Sequence, residues 1–131
     1  MERVFANVRR HLAPRGTLAF DIFNPSFDYI VTAARRLQRG KYRFNLPDGR
    51  RVRIDEHYRY DAARQTGRAT WTHHVGAKRF ASRLDMRCFS PLEMDALLKY
   101  NGFMILRKYG SFERKPFRSE SLKQIYVCQP R

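Results

Sequence analysis

Between residues 51 and 88 the chain repeats one pattern three times, with apolar and charged side chains alternating at every second position. Turns at residues 61–67 and at Gly76 separate the three runs. The apolar phase consists of Val52, Ile54, Tyr58, Tyr60, Ala69, Trp71, His73, Val75, Phe80, Leu84, Met86 and Cys88. Because successive side chains of a strand point to opposite faces, the pattern predicts a three-stranded antiparallel meander, within a unit that spans residues 41–89.

The charged phase of the predicted meander is mostly basic. Its arginines are Arg51, Arg53, Arg59, Arg68, Arg83 and Arg87. The whole chain has 27 lysines and arginines against 12 acidic residues, which gives a formal net charge of +15. Such a surface attracts an anionic ligand or nucleic acid, although a solvated outer face explains the arginines equally well. A small basic nucleic-acid-binding module is therefore one function that the sequence leaves open.

The first 40 residues predict a helix, a strand and a second helix. Apolar side chains at helical spacing place the first helix over residues 2–12. Residues 17–23 are apolar in both phases, which is typical of a strand buried on both faces. Ser26 can cap a second helix that runs to about Leu37, before Gly40.

The segment of residues 90–131 predicts a third helix followed by two strands. Ser90, Pro91 and Glu93 have the spacing of a capping box with proline at the first helical position. Strands are predicted over residues 103–109 and 122–128. Residues 1–40 and 90–131 together predict an α/β core, which is α+β when the chain is taken by itself.

Cysteine, histidine and hydropathy patterns exclude several other classes of protein. Cys88 and Cys128 lie far apart without a CxxC partner, so neither a disulfide framework nor a zinc site is indicated. The four histidines lack metal-ligand spacing. No apolar run approaches the ~20 residues that a membrane-spanning helix needs, and no signal peptide precedes the first helix. We therefore expect a cytoplasmic protein with no bound metal and no membrane partner.

Several motifs, taken in order, resemble class I S-adenosylmethionine-dependent methyltransferases. Residues 12–21 (LAPRGTLAFD) are similar to the "LxPGGxLxxD" passage that opens the family's fifth strand, apart from Arg15 where glycine is usual. Residues 90–103 resemble the family's helix that leads into the sixth strand. Residues 109–112 and 121–127 look like its closing loop and seventh strand. One subgroup, which methylates small molecules, carries an antiparallel lid where the meander falls.

The resemblance implies the C-terminal half of such an enzyme, a partial Rossmann-like sheet in the order 5-7-6 with an antiparallel β-meander lid. The family holds S-adenosylmethionine with a Gly-rich turn and an acidic residue of its N-terminal half. Neither has a counterpart here, and all seven glycines are isolated, so that no GxGxG motif occurs. The chain alone is thus expected to bind no cofactor and to be inactive.

Residues 17–23, from Thr17 to Phe23, would then form an unpaired apolar edge strand. This edge would pair with the missing N-terminal half or with a second copy of the chain. Three interpretations stay open: an incomplete or mis-started gene product, a self-associating dimer, and a non-catalytic subunit that completes a split methyltransferase.

The resemblance also implies candidate site residues. Asp21 and Asn24 lie near the end of the predicted fifth strand, where they would face the substrate, or alternatively cap the following turn. Tyr60 and Trp71 on the apolar face of the meander would enclose an organic substrate. His73 or Tyr58 would accept a proton as an oxygen or nitrogen is methylated. The alternative for this face is ordinary sheet core.

Overall fold

The computed structural model describes residues 1–34 and 36–131, and these residues form two compact units. Unit 1 consists of Met1–Pro25 and Phe89–Arg131, and unit 2 of Ser26–Cys88. The elements in chain order are α1 (Glu2–His11), β1 (Leu18–Phe23), α2 (Phe27–Ala33), β2 (Leu37–Asn45), β3 (Arg51–Asp61), β4 (Thr66–Val75), β5 (Lys78–Arg87), α3 (Pro91–Tyr100), β6 (Phe103–Tyr109) and β7 (Lys123–Pro130). No helix among the described residues is long and apolar enough to cross a membrane.

Unit 1 is a three-stranded sheet in the order β1-β7-β6, with β7 antiparallel to both neighbours. Helices α1 and α3 pack on the same face of this sheet. The fully buried core residues there are Phe5, Met94, Leu98, Phe103, Tyr126 and Cys128. The α3 capping box forms as predicted, with the Ser90 hydroxyl and the Glu93 carboxylate bonded reciprocally to backbone N–H groups. Local sequence therefore sets where α3 begins.

The other face of this sheet is open. Along β7, fully buried residues alternate with half-buried ones, and the half-buried set includes Ile125 and Val127. On β1, Phe20 packs into the core, whereas Ala19 and Phe23 on the opposite face are exposed. The prediction of a strand buried on both faces is therefore wrong for this unit, because both of its helices pack on one side.

Unit 2 is a four-stranded antiparallel sheet in the order β2-β3-β4-β5. The last three strands match the predicted meander, and their register pairs Tyr58 with Ala69. Helix α2 places Ala33 against these two residues in a small buried cluster. The strands therefore keep apolar side chains on the face that the sequence pattern indicates.

The predicted second helix is too long, and the prediction of three strands misses one. Helix α2 ends at Ala33, and Leu37 begins β2 instead, where it pairs with His57. Gly40 lies at a β-bulge with φ +62°, and its N–H donates to Asp55 Oδ1 at 2.7 Å. Pairing along the edge of β3 therefore outweighs the helical spacing of this segment.

Candidate functional site

In unit 1, two of the predicted site residues lie at the carboxyl-terminal end of β1. We call this end of the sheet the site edge, as distinct from the lateral edge formed by an unpaired strand. β1 and β6 end at this edge, and the antiparallel β7 begins there. Asp21 Oδ2 forms an ion pair with Lys123 Nζ at 2.5 Å. Asn24 Nδ2 donates to the Ser121 carbonyl at 2.9 Å, while Asn24 Oδ1 is buried without a partner among the described residues. This edge therefore presents a paired carboxylate and an unsatisfied amide oxygen.

The loop between β6 and β7 encloses a cleft next to this edge. The cleft has a volume of about 630 Å³ and includes Lys123 in its lining. Phe112 and Leu122 also line it with largely exposed side chains, and the Lys123 ammonium lies 5.0 Å from the Phe112 ring centroid. A volume of this size accommodates a small organic molecule, and the mixed lining suits a ligand with both apolar and polar groups.

Unit 2 contains a buried carboxylate that the sequence pattern did not single out. Glu56 is only 3% exposed and lies in the apolar phase of β3. Its carboxylate accepts hydrogen bonds from Tyr29 Oη at 2.6 Å and Trp71 Nε1 at 2.7 Å. Lys41 Nζ forms an ion pair with it and also donates to Tyr29 Oη at 2.7 Å. We call these four residues the Glu56 cluster.

The Glu56 carboxylate stays charged. Burial raises its pKa, but hydrogen bonds from Lys41, Tyr29 and Trp71 outweigh burial and lower the pKa below its ordinary value. The pKa of Lys41 is raised, because its bonds to Glu56 and Tyr29 outweigh the effect of burial. Since its oxygens are occupied by donors, Glu56 is poorly placed to take a proton. Its role is to join α2, β2, β3 and β4.

The predicted residues of the meander occupy different environments. Tyr58 is 5% exposed, and burial together with the neighbouring Cys88 thiol raises its pKa, so that its hydroxyl is protonated near neutral pH. Tyr60 and Trp71 are half-buried and pack against the buried cluster of Ala33, Tyr58 and Ala69. His73 is also half-buried; its Nε2 lies 2.8 Å from Ser82 Oγ, and its ring stacks on Phe80 with centroids 4.8 Å apart.

The sequence did contain a signal for the Glu56 cluster. Glu56 stands in the same phase as Val52, Ile54 and Tyr58, where a charged residue has to find a partner if that face is covered. Which partner it finds is set by tertiary structure. Among residues 1–34 and 36–131, no group of three or more potential ligands could hold a metal ion.

Solved structures of methyltransferases resemble the chain over almost its whole length. An S-adenosylmethionine-dependent methyltransferase from Clostridium acetobutylicum is 16% identical with a TM-score of 0.76; the match covers 98% of this chain and 50% of that one. The CcbJ methyltransferase from Streptomyces caelestis is 21% identical with a TM-score of 0.78, over 99% and 52% of the two chains. The chain has a methyltransferase-like fold.

A third structure of this fold is CalS10, an amino pentose methyltransferase from Micromonospora echinaspora solved with S-adenosylmethionine. It is 17% identical with a TM-score of 0.66, over 99% of this chain and 50% of its own. The present chain thus spans about half the length of the methyltransferases that it matches. No protein-family model and no curated protein sequence matches it.

The methyltransferase-like fold gives a reason to expect ligand binding at the site edge of unit 1. In open α/β sheets, ligands bind outside the carboxyl ends of the strands. Asp21 and Asn24 lie at such an end, as does the cleft beside Lys123. This edge is therefore the best candidate for small-molecule binding in unit 1.

Proposed function

We propose that the chain is the substrate-side half of an S-adenosylmethionine-dependent methyltransferase. The observation that carries this proposal is the asymmetry of the structural matches, which cover 98% or more of this chain and about half of each methyltransferase. In the complete enzyme the cofactor supplies the methyl group. Because the glycines of this chain are all isolated, it lacks the Gly-rich turn expected to hold that cofactor.

The proposal equates β1, β7 and β6 with the fifth, seventh and sixth strands of a methyltransferase sheet. The observed order β1-β7-β6 and the antiparallel direction of β7 support this correspondence. In this arrangement the free edge of β1 pairs with a strand of the cofactor-binding half.

A second observation that supports a missing partner is the open, apolar face of the unit 1 sheet. Ala19, Phe23, Met104, Ile125 and Val127 all lie on it, and none of them is fully buried. Burying a large apolar side chain stabilises a protein by about 1.5–3 kcal/mol. An apolar sheet face is therefore most stable when another layer covers it, and the cofactor-binding half is the layer that we propose.

Within this proposal, Asp21 and Asn24 contact the substrate, and the sheet of unit 2 acts as the substrate lid, where Tyr60 and Trp71 would contact it. We assign proton acceptance to His73 rather than to Tyr58. The imidazole is half-buried and oriented by Ser82 Oγ, whereas burial raises the pKa of the Tyr58 hydroxyl further above neutral.

The proposal is tested by finding the form of the protein that cells contain. An antiserum against the 131-residue, 15.7 kDa chain should detect a species about twice that mass in a native extract. Radiolabelled S-adenosylmethionine should photo-crosslink to this species. Calorimetry with the purified 131-residue chain should give no heat of S-adenosylmethionine binding.

The same experiment separates one polypeptide from two. A denaturing gel keeps the double-mass band for a single polypeptide, whereas a split enzyme gives a 15.7 kDa band together with a second, co-purifying polypeptide, and a dimer of this chain gives the 15.7 kDa band alone. A native species of only 15.7 kDa, or micromolar cofactor binding by the purified chain, would show that the proposal is wrong.

A further inference from the structure

One face of the unit 2 sheet concentrates arginines beyond those that the sequence pattern grouped. We call it the arginine face. It carries Arg43, Arg51, Arg53, Arg59, Arg68, Arg79, Arg83 and Arg87. Three carboxylates share this face: Asp55, Asp61 and Asp85, the last of which pairs with Arg68 at 2.6 Å. Positive charge therefore predominates across all four strands.

At one end of the arginine face, four cationic or titratable side chains lie directly opposite one another. The register pairs Arg43 with Arg53, Arg53 with His74, and His74 with Arg79. Neighbouring strands are about 4.8 Å apart, so the row is roughly 14 Å wide. Like charges directly opposite each other on a sheet are destabilising, and Arg43 opposite Arg53 is such a pair. The fold therefore keeps an unfavourable arrangement at this place.

The negative charge of Asp55 offsets positive charge only at the middle of the row. Its carboxylate lies 3.2 Å from Arg53 Nε and 2.9 Å from His74 Nε2. Arg43 and Arg79, at the two ends, have no carboxylate partner among the described residues. A bound anion would relieve the repulsion that remains.

The same end of the face contains a cleft of suitable size. Its volume is about 740 Å³, and its lining includes Arg43, Arg51, Arg53 and His74. Guanidinium groups bind phosphate oxygens in a bidentate geometry, which makes such a cleft a good phosphate site. Arg59 lies six residues along β3 from Arg53, about 20 Å away, so the positive surface extends well beyond one phosphate group.

We propose that the arginine face binds the sugar–phosphate backbone of a nucleic acid. The length of the surface fits a chain of phosphates better than a single phosphorylated molecule. No Phe, Tyr or Trp of β2 to β5 lies in the arginine phase, although Phe44 of the opposite phase also lines the cleft at the end of the face. Contacts along the face itself are therefore to phosphates rather than to stacked bases, and binding through phosphates is independent of sequence. This inference does not depend on the proposed methyltransferase role.

The test is a titration of fluorescently labelled nucleic acids with the full chain, in which fluorescence anisotropy reports binding. The nucleic acids are a 20-base-pair RNA duplex, a DNA duplex and a single strand. If about four phosphates are contacted, the affinity falls on the order of 100-fold between 50 and 200 mM salt. The double variant Arg43→Gln/Arg79→Gln should weaken binding on the order of 10- to 100-fold at 100 mM salt and lower the salt slope by about two.

Two further variants serve as controls. Arg3→Gln/Arg10→Gln on α1 of unit 1 removes the same charge and should bind like the parent chain. Arg43→Lys/Arg79→Lys keeps the charge and should keep the salt slope. The thermal midpoint of the glutamine variant at the arginine face should be unchanged or raised, because repulsion is removed.

Three results overturn the proposal: no binding at 50 mM salt, an equal loss in the α1 variant, or an unchanged salt slope in the glutamine variant at the arginine face. Binding to vesicles of anionic phospholipid without binding to any of the nucleic acids also overturns it, because the partner would then be a membrane surface.

Discussion

Replacing Glu56 with glutamine tests whether the Glu56 cluster holds unit 2 together. Glutamine has nearly the same shape as glutamate, so the change removes charge with little loss of volume. Its single carbonyl can still accept from Tyr29 or Trp71, but Lys41 loses its ionic partner. The Lys41 side chain is only 20% exposed, so water compensates the lost ion pair incompletely.

The size of the effect follows from these contacts. A hydrogen bond to a charged group contributes about 1.5–3 kcal/mol, and removing one partner of a buried ion pair costs about 3–5 kcal/mol. Because Lys41 keeps some solvent contact and Tyr29 as an acceptor, we expect Glu56→Gln to lower the free energy of unfolding by about 3 kcal/mol. Asp85→Asn is the matched control, since its pair with Arg68 is exposed and should contribute less than about 1 kcal/mol.

The assay is urea unfolding followed by tryptophan fluorescence. Trp71 is the only tryptophan in the chain, and its indole N–H donates to Glu56, so the emission reports on the cluster directly. Far-ultraviolet circular dichroism on the same samples follows both units. A loss below about 1 kcal/mol for Glu56→Gln, or an equal loss for Asp85→Asn, would refute the argument that the cluster stabilises this unit.

Three other outcomes are expected. The folded-state pKa of Glu56 lies below its unfolded value, so the ionised Glu56 carboxylate contributes its full stabilisation above about pH 4.5. This stabilisation is lost as the pH falls through the lower, folded-state pKa. In urea melts at a series of pH values, Glu56→Gln should therefore lack this part of the acid dependence of the free energy of unfolding. Gly67→Ala should cost about 1–3 kcal/mol in the same assay, since the new Cβ would lie 2.2 Å from Tyr58 Oη, and a neutral result would contradict the packing. Phe23→Lys/Met104→Lys should reduce self-association measured by light scattering without changing the melt, because both side chains lie on the open face; unchanged mass of an oligomeric parent would argue against that face as its interface.

The sequence alone was sufficient to predict those elements that are determined by residues close together in the chain. The capping box at Ser90 and Glu93 sets the start of α3 through bonds made within one helical turn. The period-two alternation set the two faces of β3 to β5, because a strand turned by one residue would expose every apolar side chain. The arginine face follows from the same alternation, although the sequence pattern did not place Arg43 and Arg79 in it.

Tertiary structure decided the features that depend on distant partners. Leu37 became a strand residue because β3 offered a free edge, which helical spacing does not reveal. Glu56 became a buried anchor because the fold brings Lys41 and Tyr29 to it. The open face of β1 has the same origin: an apolar pattern shows that a strand can be buried, but which layer covers it is fixed only when the layers pack.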